Sequence, residues 1–322
     1  TPDAKLKGLV LRLSTSPTPS PASIKIFNTP KNILMDLGNG RQIMRSCGPN
    51  HIWAVIWNDK MERLGISLYG VFDLWSSSIL AMYAHEIPSD PVHVGVNFLQ
   101  LAAASGGIPL VVITNDGIGT LDLAQYQNQL AQWYGPAPST EAAIHVHFIQ
   151  STNTLRITEL WSRINNRHIR PVMESIYREI NAGRYDPDDF IQRLLFLFLW
   201  VPLIQTSLDQ WATLNNAPRP RVNQVIELPT VDRHHAYLNP ETYGVEDKII
   251  EVPEEDIEMI LANSYSPSDL FPTHTPQWFH TRAMEIMHIM DFHFNQLTLQ
   301  EVWTVFDQML PRIQASYNTS VN

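Results

Sequence analysis

The sequence predicts an α/β fold, with five strands interleaved with helices up to about residue 150 and an α-helical region after it. Three observations carry this. Residues 48–76 pass from a β-branched and aromatic run, through a polar turn, into a second run with strand alternation. Between residues 78 and 149, strand-like and helix-like stretches alternate. From Leu155 onward the apolar spacing is helical almost without interruption.

In chain order, residues 1–44 read as an N-terminal arm. A short apolar run, Leu9-Val10-Leu11, is followed by an extended Pro/Ser linker from Ser14 to Pro21, and Ile24 to Arg45 favours neither period. No zinc-finger spacing occurs there. Residues 45–170 form the expected core. His51 to Trp57 is the first strand, Asn58-Asp59 turns it, and Gly65 to Phe72 alternates into a second strand ending at Asp73. Ser78 to Tyr83 is the third. Asp90-Pro91 starts a helix through Val94, Phe98 and Leu101 that the Gly106-Gly107 pair ends. Leu110 to Thr114 is apolar throughout, as a strand buried on both faces requires, Leu121 to Tyr134 is helical, and Ala142 to Ile149 is the fifth strand with His145 and His147 on one face.

Residues 171–322 read as a helical extension packed on that core. Leu155 to Asn181 and Asp189 to Asn215 are long periodic segments parted by a turn and N-cap at 183–188. Gln224 to Leu238 is an irregular connector holding Arg233-His234-His235, a histidine pair without a third ligand or helical ligand spacing. An acidic band from Glu246 to Glu258 follows, and its Glu254, Glu255 and Asp256 suit a helix N-terminus. The last helices fall near Gln277 to Leu297 and Leu299 to Ile313.

Composition narrows the function. A net charge of −10 and a pI near 5.6 argue against nucleic acid as partner, because phosphate neutralisation by a basic face supplies most non-specific affinity. The single cysteine, Cys47, forms no internal disulfide, and no secretory signal opens the sequence, so an intracellular, cytoplasmic location is expected. The longest apolar run, Leu194 to Ile204, falls short of the roughly 20 residues of a membrane span and reads as a buried helix. No nucleophile elbow or phosphate loop occurs.

Three motifs then carry a resemblance. Trp53-Ala54-Val55-Ile56-Trp57-Asn58-Asp59-Lys60-Met61, Ile113-Thr114-Asn115-Asp116-Gly117-Ile118-Gly119-Thr120 and Asn153-Thr154-Leu155-Arg156-Ile157-Thr158-Glu159-Leu160-Trp161 occur in that order. They resemble the catalytic core of integrase-core proteins of fungal transposon origin, relatives of retroviral integrase. The family reads Trp-His-Ile-Asp-Gly-Asn-Asp-Lys-Leu at the first motif, Thr-Asp-x-Gly-Thr-Glu-Asn at the second and Asn-Gln-Arg-Ile-Glu-x-Leu-Trp at the third. The resemblance implies an RNase H-like mixed five-stranded sheet with flanking helices, a helical C-terminal element and a tendency to dimerise.

It also implies that the family's three metal-binding carboxylates fall on Ile56, Asn115 and Thr158. Two-metal phosphoryl transfer needs anionic oxygen ligands, which none of these side chains supplies. The expectation is therefore a catalytically inactive, domesticated integrase-like protein, a pseudoenzyme without cofactor. Its vacated cleft would be lined by Ile56, Trp57, Asn115, Asp116, Asn153, Thr158 and Trp161. Aromatic faces beside amides and hydroxyls suit a carbohydrate, as in a lectin, or a protein ligand. Two alternatives stay open: a metal-dependent nuclease or integrase using shifted carboxylates at Asp59, Asp116 and Glu159, and a homo-oligomeric structural or storage protein.

Overall fold

A computed structural model of the chain describes residues 34–36, 42–44, 46–87, 90–114, 119–136, 146–148, 155–217, 233–271 and 273–321. Strands β1 (Leu34–Asp36) and β2 (Gln42–Met44) pair antiparallel as a small sheet of their own. The expected Pro/Ser linker lies outside the described residues.

The principal sheet has five strands: β3 (Ile52–Asn58), β4 (Ile66–Asp73), β5 (Ile79–Glu86), β7 (Val111–Thr114) and β8 (Val146–Phe148), in the order β5-β4-β3-β7-β8. Strand β3 runs antiparallel to β4 and parallel to β7, and β7 runs parallel to β8. This is the mixed sheet that the resemblance implied. The third strand extends to Glu86, three residues beyond the expected Tyr83, because Ser67 and Ile66 on β4 continue the ladder to His85 and Glu86. Residues 142–145 and 149 of the expected fifth strand lie outside the described residues. A short strand β6 (Gly107–Ile108) pairs instead with β9 (Ile250–Glu251).

Period-2 alternation sorts the central strand between two cores. Ile52, Ala54 and Ile56 join one apolar cluster, while Trp53 and Val55 join the other. Helices α1 (Pro91–Ser105) and α2 (Leu121–Tyr134) cover the Trp53 face. Asp90 caps α1 by accepting from the Val92 N–H at 3.0 Å, and Gly106 ends it in the left-handed conformation that glycine tolerates.

The other face is covered by helices from the second half. Leu155 to Asn181 is one helical run, α3 (Leu155–Ile164) joined to α4 (Arg170–Asn181) through a π turn at Asn165–Ile169, so the expected boundary at residue 170 falls inside it. Next comes α5 (Phe190–Asn216), whose cap Asp189 accepts from the Gln192 N–H at 2.8 Å. Helix α5 is apolar nearly all round between Leu194 and Ile204, where it is enclosed, and exposes residues such as Asp209 and Gln210 further on. It packs on β5 and on the last helix, and its Gln205 side chain spans Met82 O and the Ala84 N–H of that strand. Contrary to the expectation that no segment approaches a membrane span, α5 is long and apolar enough to cross one. In the fold, 67% of its most apolar window is buried.

Part of the expected irregular connector is the short helix α6 (Arg233–Leu238), and residues 224–232 lie outside the described set. Helix α7 (Glu254–Ser264), with the three acidic residues in its first turn, packs on α1. Helices α8 (Pro267–Leu270), α9 (Gln277–Ile289) and α10 (Val302–Val321) complete the chain.

One buried carboxylate ties these halves together. Asp73, at the end of β4 and fully buried, accepts from the Asn50 N–H at 2.9 Å and from the Ser76 N–H and hydroxyl at 2.7 and 2.6 Å. The Asn50 side chain then donates to Asp247 and accepts from Trp53 Nε1 and Tyr237 Oη. Burial pushes the Asp73 carboxyl up to about 6, against the hydrogen bonds from Ser76 and Asn50 that favour its anion; Asp247 adds repulsion. Folded Asp73 thus holds its proton more tightly than the unfolded chain does, whose carboxyl titrates near ~3.9. Its ionisation costs stability above about pH 6, and the cost fades as pH falls toward the unfolded value. In urea unfolding, the stability advantage of the wild type over Asp73→Asn is expected to grow by on the order of 2 kcal/mol between ~pH 7 and ~pH 4.

Candidate functional site

Of the positions that the three motifs mark, Ile56 lies on β3 and Thr158 on α3, while Asn115 lies outside the described residues. The parallel ladder runs from Ile52 with Val111 to Val55 with Thr114, so its last pair stops one residue short of Ile56 and of Asn115. Ile56 is 5% exposed and belongs to the same apolar cluster as Leu160, Trp161 and Ile164 of α3. At the start of that helix Thr158 and Glu159 are exposed, whereas Leu160 and Trp161 turn inward. Asn58, the last residue of β3, donates from Nδ2 to Asn165 Oδ1 at 3.0 Å and accepts from the Lys60 N–H, so the strand end is fastened to the π turn of the long helical run. Such π turns recur where a helix carries a functional position.

The expected lining divides between separate surroundings. Trp57 follows Ile56 and therefore projects from the opposite face of the sheet, where it stacks on Tyr69 with ring centroids 4.6 Å apart and planes 16° apart. Trp161 is 6% exposed and meets Phe72 edge-on at 6.0 Å, the packing of a core residue. Asn115, Asp116 and Asn153 lie outside the described residues.

The described shifted carboxylates are both solvent-facing. The Asp59 side chain, 76% exposed, sits 3.9 Å from Lys60 Nζ. Glu159, 72% exposed, lies 3.9 Å from Arg163 one helical turn on. Among the described residues, neither belongs to a group of three metal-ligating side chains. Ile56 has no ligand atom and Thr158 one neutral hydroxyl, so these two positions do not fit the hard-anion site that a pair of Mg²⁺ ions requires.

A second constellation lies on the Trp57 face. Tyr69 continues the stack to Tyr83 at 4.9 Å and to His85 at 5.7 Å, and His85 stacks on His93 of α1 at 5.8 Å. Tyr83 and His85 share this face by the alternation of β5, a signal that ending the strand at Tyr83 concealed.

Residues 43–226 match a family model described as an integrase core domain. The chain belongs to that family. Its mixed sheet and flanking helices are accordingly an integrase core of RNase H-like fold. The integrase-core chain is also similar to the cryo-EM structure of the simian T-cell lymphotropic virus intasome in complex with PP2A regulatory subunit B56 gamma. The identity is 14% and the TM-score 0.28, over 59% of this chain and 63% of that one, so the match spans less than two thirds of that chain's length. No curated protein matches the sequence.

A carboxylate placed at the buried strand position would meet an apolar surround, with no cation described beside it. Ile56→Asp is expected to destabilise the protein by on the order of 3 kcal/mol or more in urea unfolding. Thr158→Asp, exposed in the first turn of α3, should shift stability by about 0.5 kcal/mol or less.

Proposed function

We propose that this integrase-core protein is catalytically inactive and acts by binding a protein ligand. The observation that carries the reading is the environment of Ile56: the residue at the family's first carboxylate position is a packed member of the apolar core. A side chain so placed stabilises the strand end by excluding water, which is the reverse of what a hydrated metal pair needs. Neutral side chains at Asn115 and Thr158 agree with it, as does a net charge of −10, which repels a polyanionic substrate.

Of the two ligand classes expected from the sequence, protein is favoured. Sugar recognition at the motif positions would use exposed aromatic faces there, and the two tryptophans expected to supply them are otherwise engaged: Trp161 is in the core and Trp57 is stacked on Tyr69. Large exposed apolar side chains occur instead in the helical region, at Phe271, Trp278 and Ile289. Self-association through such residues would make a dimer, as the resemblance implies.

The reading is tested by Mg²⁺ calorimetry with cleavage assays on single-stranded, double-stranded and hybrid nucleic acid. No Mg²⁺ heat and no cleavage are expected, together with unchanged capture of partner proteins by Thr158→Ala. Mg²⁺-dependent cleavage lost in Asp116→Asn would overturn it in favour of relocated carboxylates.

A further inference from the structure

His85 sits at the end of edge strand β5 with 5% of its surface exposed, enclosed by Tyr69, Tyr83, His93, Asn97 and His274. Burial drives its imidazole down to about 3, with His274 and His93 adding to the fall against the pull of Glu86, so the ring is neutral and carries a lone pair. One ring nitrogen, Nε2, lies 3.1 Å from the Asn97 amide. The other, Nδ1, is buried and has no hydrogen-bond partner among the described residues. A buried imidazole nitrogen left in this way costs stability unless something occupies it.

The neighbours of that imidazole are themselves ligand groups. Glu86, the next residue, accepts from His274 Nδ1 at 2.8 Å across a sequence gap of 188 residues. Burial raises the Glu86 carboxyl, but the bond from His274, its own backbone N–H and the two imidazoles outweigh this and hold it below the usual carboxylate range. The side chains of His274 and Glu86 are 18% and 26% exposed, so the pair is reachable from solvent while His85 forms its floor. One ligand atom from each of His85, Glu86 and His274 falls within 4.8 Å of the other two, the one such group among the described residues.

We propose that His85, Glu86 and His274 form a binding site for a transition-metal dication, zinc by preference. Two imidazoles and one carboxylate are a zinc donor set, with bonds of about 2.0–2.2 Å and a fourth position open to water. Tetrahedral bonds of that length place ligand atoms roughly 3.4 Å apart; here His274 Nδ1 and Glu86 are 2.8 Å apart and all three ligand atoms lie within 4.8 Å of one another. Metal bound there replaces the hydrogen bond between His274 and Glu86. It also settles the orientation of Asn97. With a cation on Nδ1, His85 carries its proton on Nε2 and donates it to Asn97 Oδ1, the outer-shell arrangement that fixes a liganding imidazole. The site is separate from the positions of the integrase motifs, and it fastens the loop before α9 to the free edge of the sheet.

The test is titration of the full chain, stripped with a chelator, with ZnCl₂ by calorimetry and with CoCl₂ by visible absorption. One equivalent is expected to bind, Co²⁺ giving the intense bands of a four-coordinate site, and Mg²⁺ should not compete. His274→Ala and Glu86→Gln should each lower Zn²⁺ affinity by about 100-fold or more. Asn97→Ala, which removes the outer partner of His85 together with the 2.8 Å bond from the Asn97 amide to Tyr69 Oη, should lower it by about 10- to 100-fold. His234→Ala should leave it unchanged, and circular dichroism establishes that each variant is folded. Affinity unaffected by His274→Ala and Glu86→Gln, or no saturable binding by the wild type, would show that the cluster is only a histidine–glutamate clip and sink the proposal.

Discussion

Burial of strand β3 on both faces is the constraint on which the remaining architecture depends. A strand reading Ile-Trp-Ala-Val-Ile-Trp-Asn has no face to give to water, so each side has to be covered by other elements. On the Trp53 side α1 and α2 do this from nearby in sequence. On the Ile56 side the cover is α3, α5 and the last helices, brought from far along the chain. The apolar character of α5 from Leu194 to Ile204 follows directly, since the helix lies between the sheet and helix α10 and this stretch is largely buried.

The same constraint changes what the end of β3 can do. In a strand enclosed this way an inward position is apolar by default, and a carboxylate there is tolerated only if cations repay its desolvation. Ile56 conforms to that default, and the strand end is held by packing and by the amide pair of Asn58 and Asn165.

Much of the fold was legible because local signals and tertiary demands agree in it. Asp90-Pro91, Gly106 and Asp189 mark helix ends by capping chemistry that operates within a few residues, and the structure has them where the sequence puts them. The turn at Asn58-Asp59 and the apolar strand up to Thr114 were readable for the same reason. What the sequence concealed is set by distance. Nothing local shows that β5 continues through His85 and Glu86, because that extension depends on pairing with Ser67 and Ile66. Nor can a histidine 188 residues away be seen to face Glu86. Trp57 and Trp161 read as a lining because aromatic residues beside a motif look exposed until sheet faces and helix faces are assigned.

The pairing of β6 with β9 has a consequence for where this protein begins and ends as a physical object. The stretch recognised as an integrase core closes at residue 226. Yet Ile250, Val252, Ile257 and Ile260 fill one side of the sheet, and Phe279, Ile286, Val302 and Phe306 fill the other. The interior of the fold therefore extends past the matched stretch, and residues as far as the final helix close it.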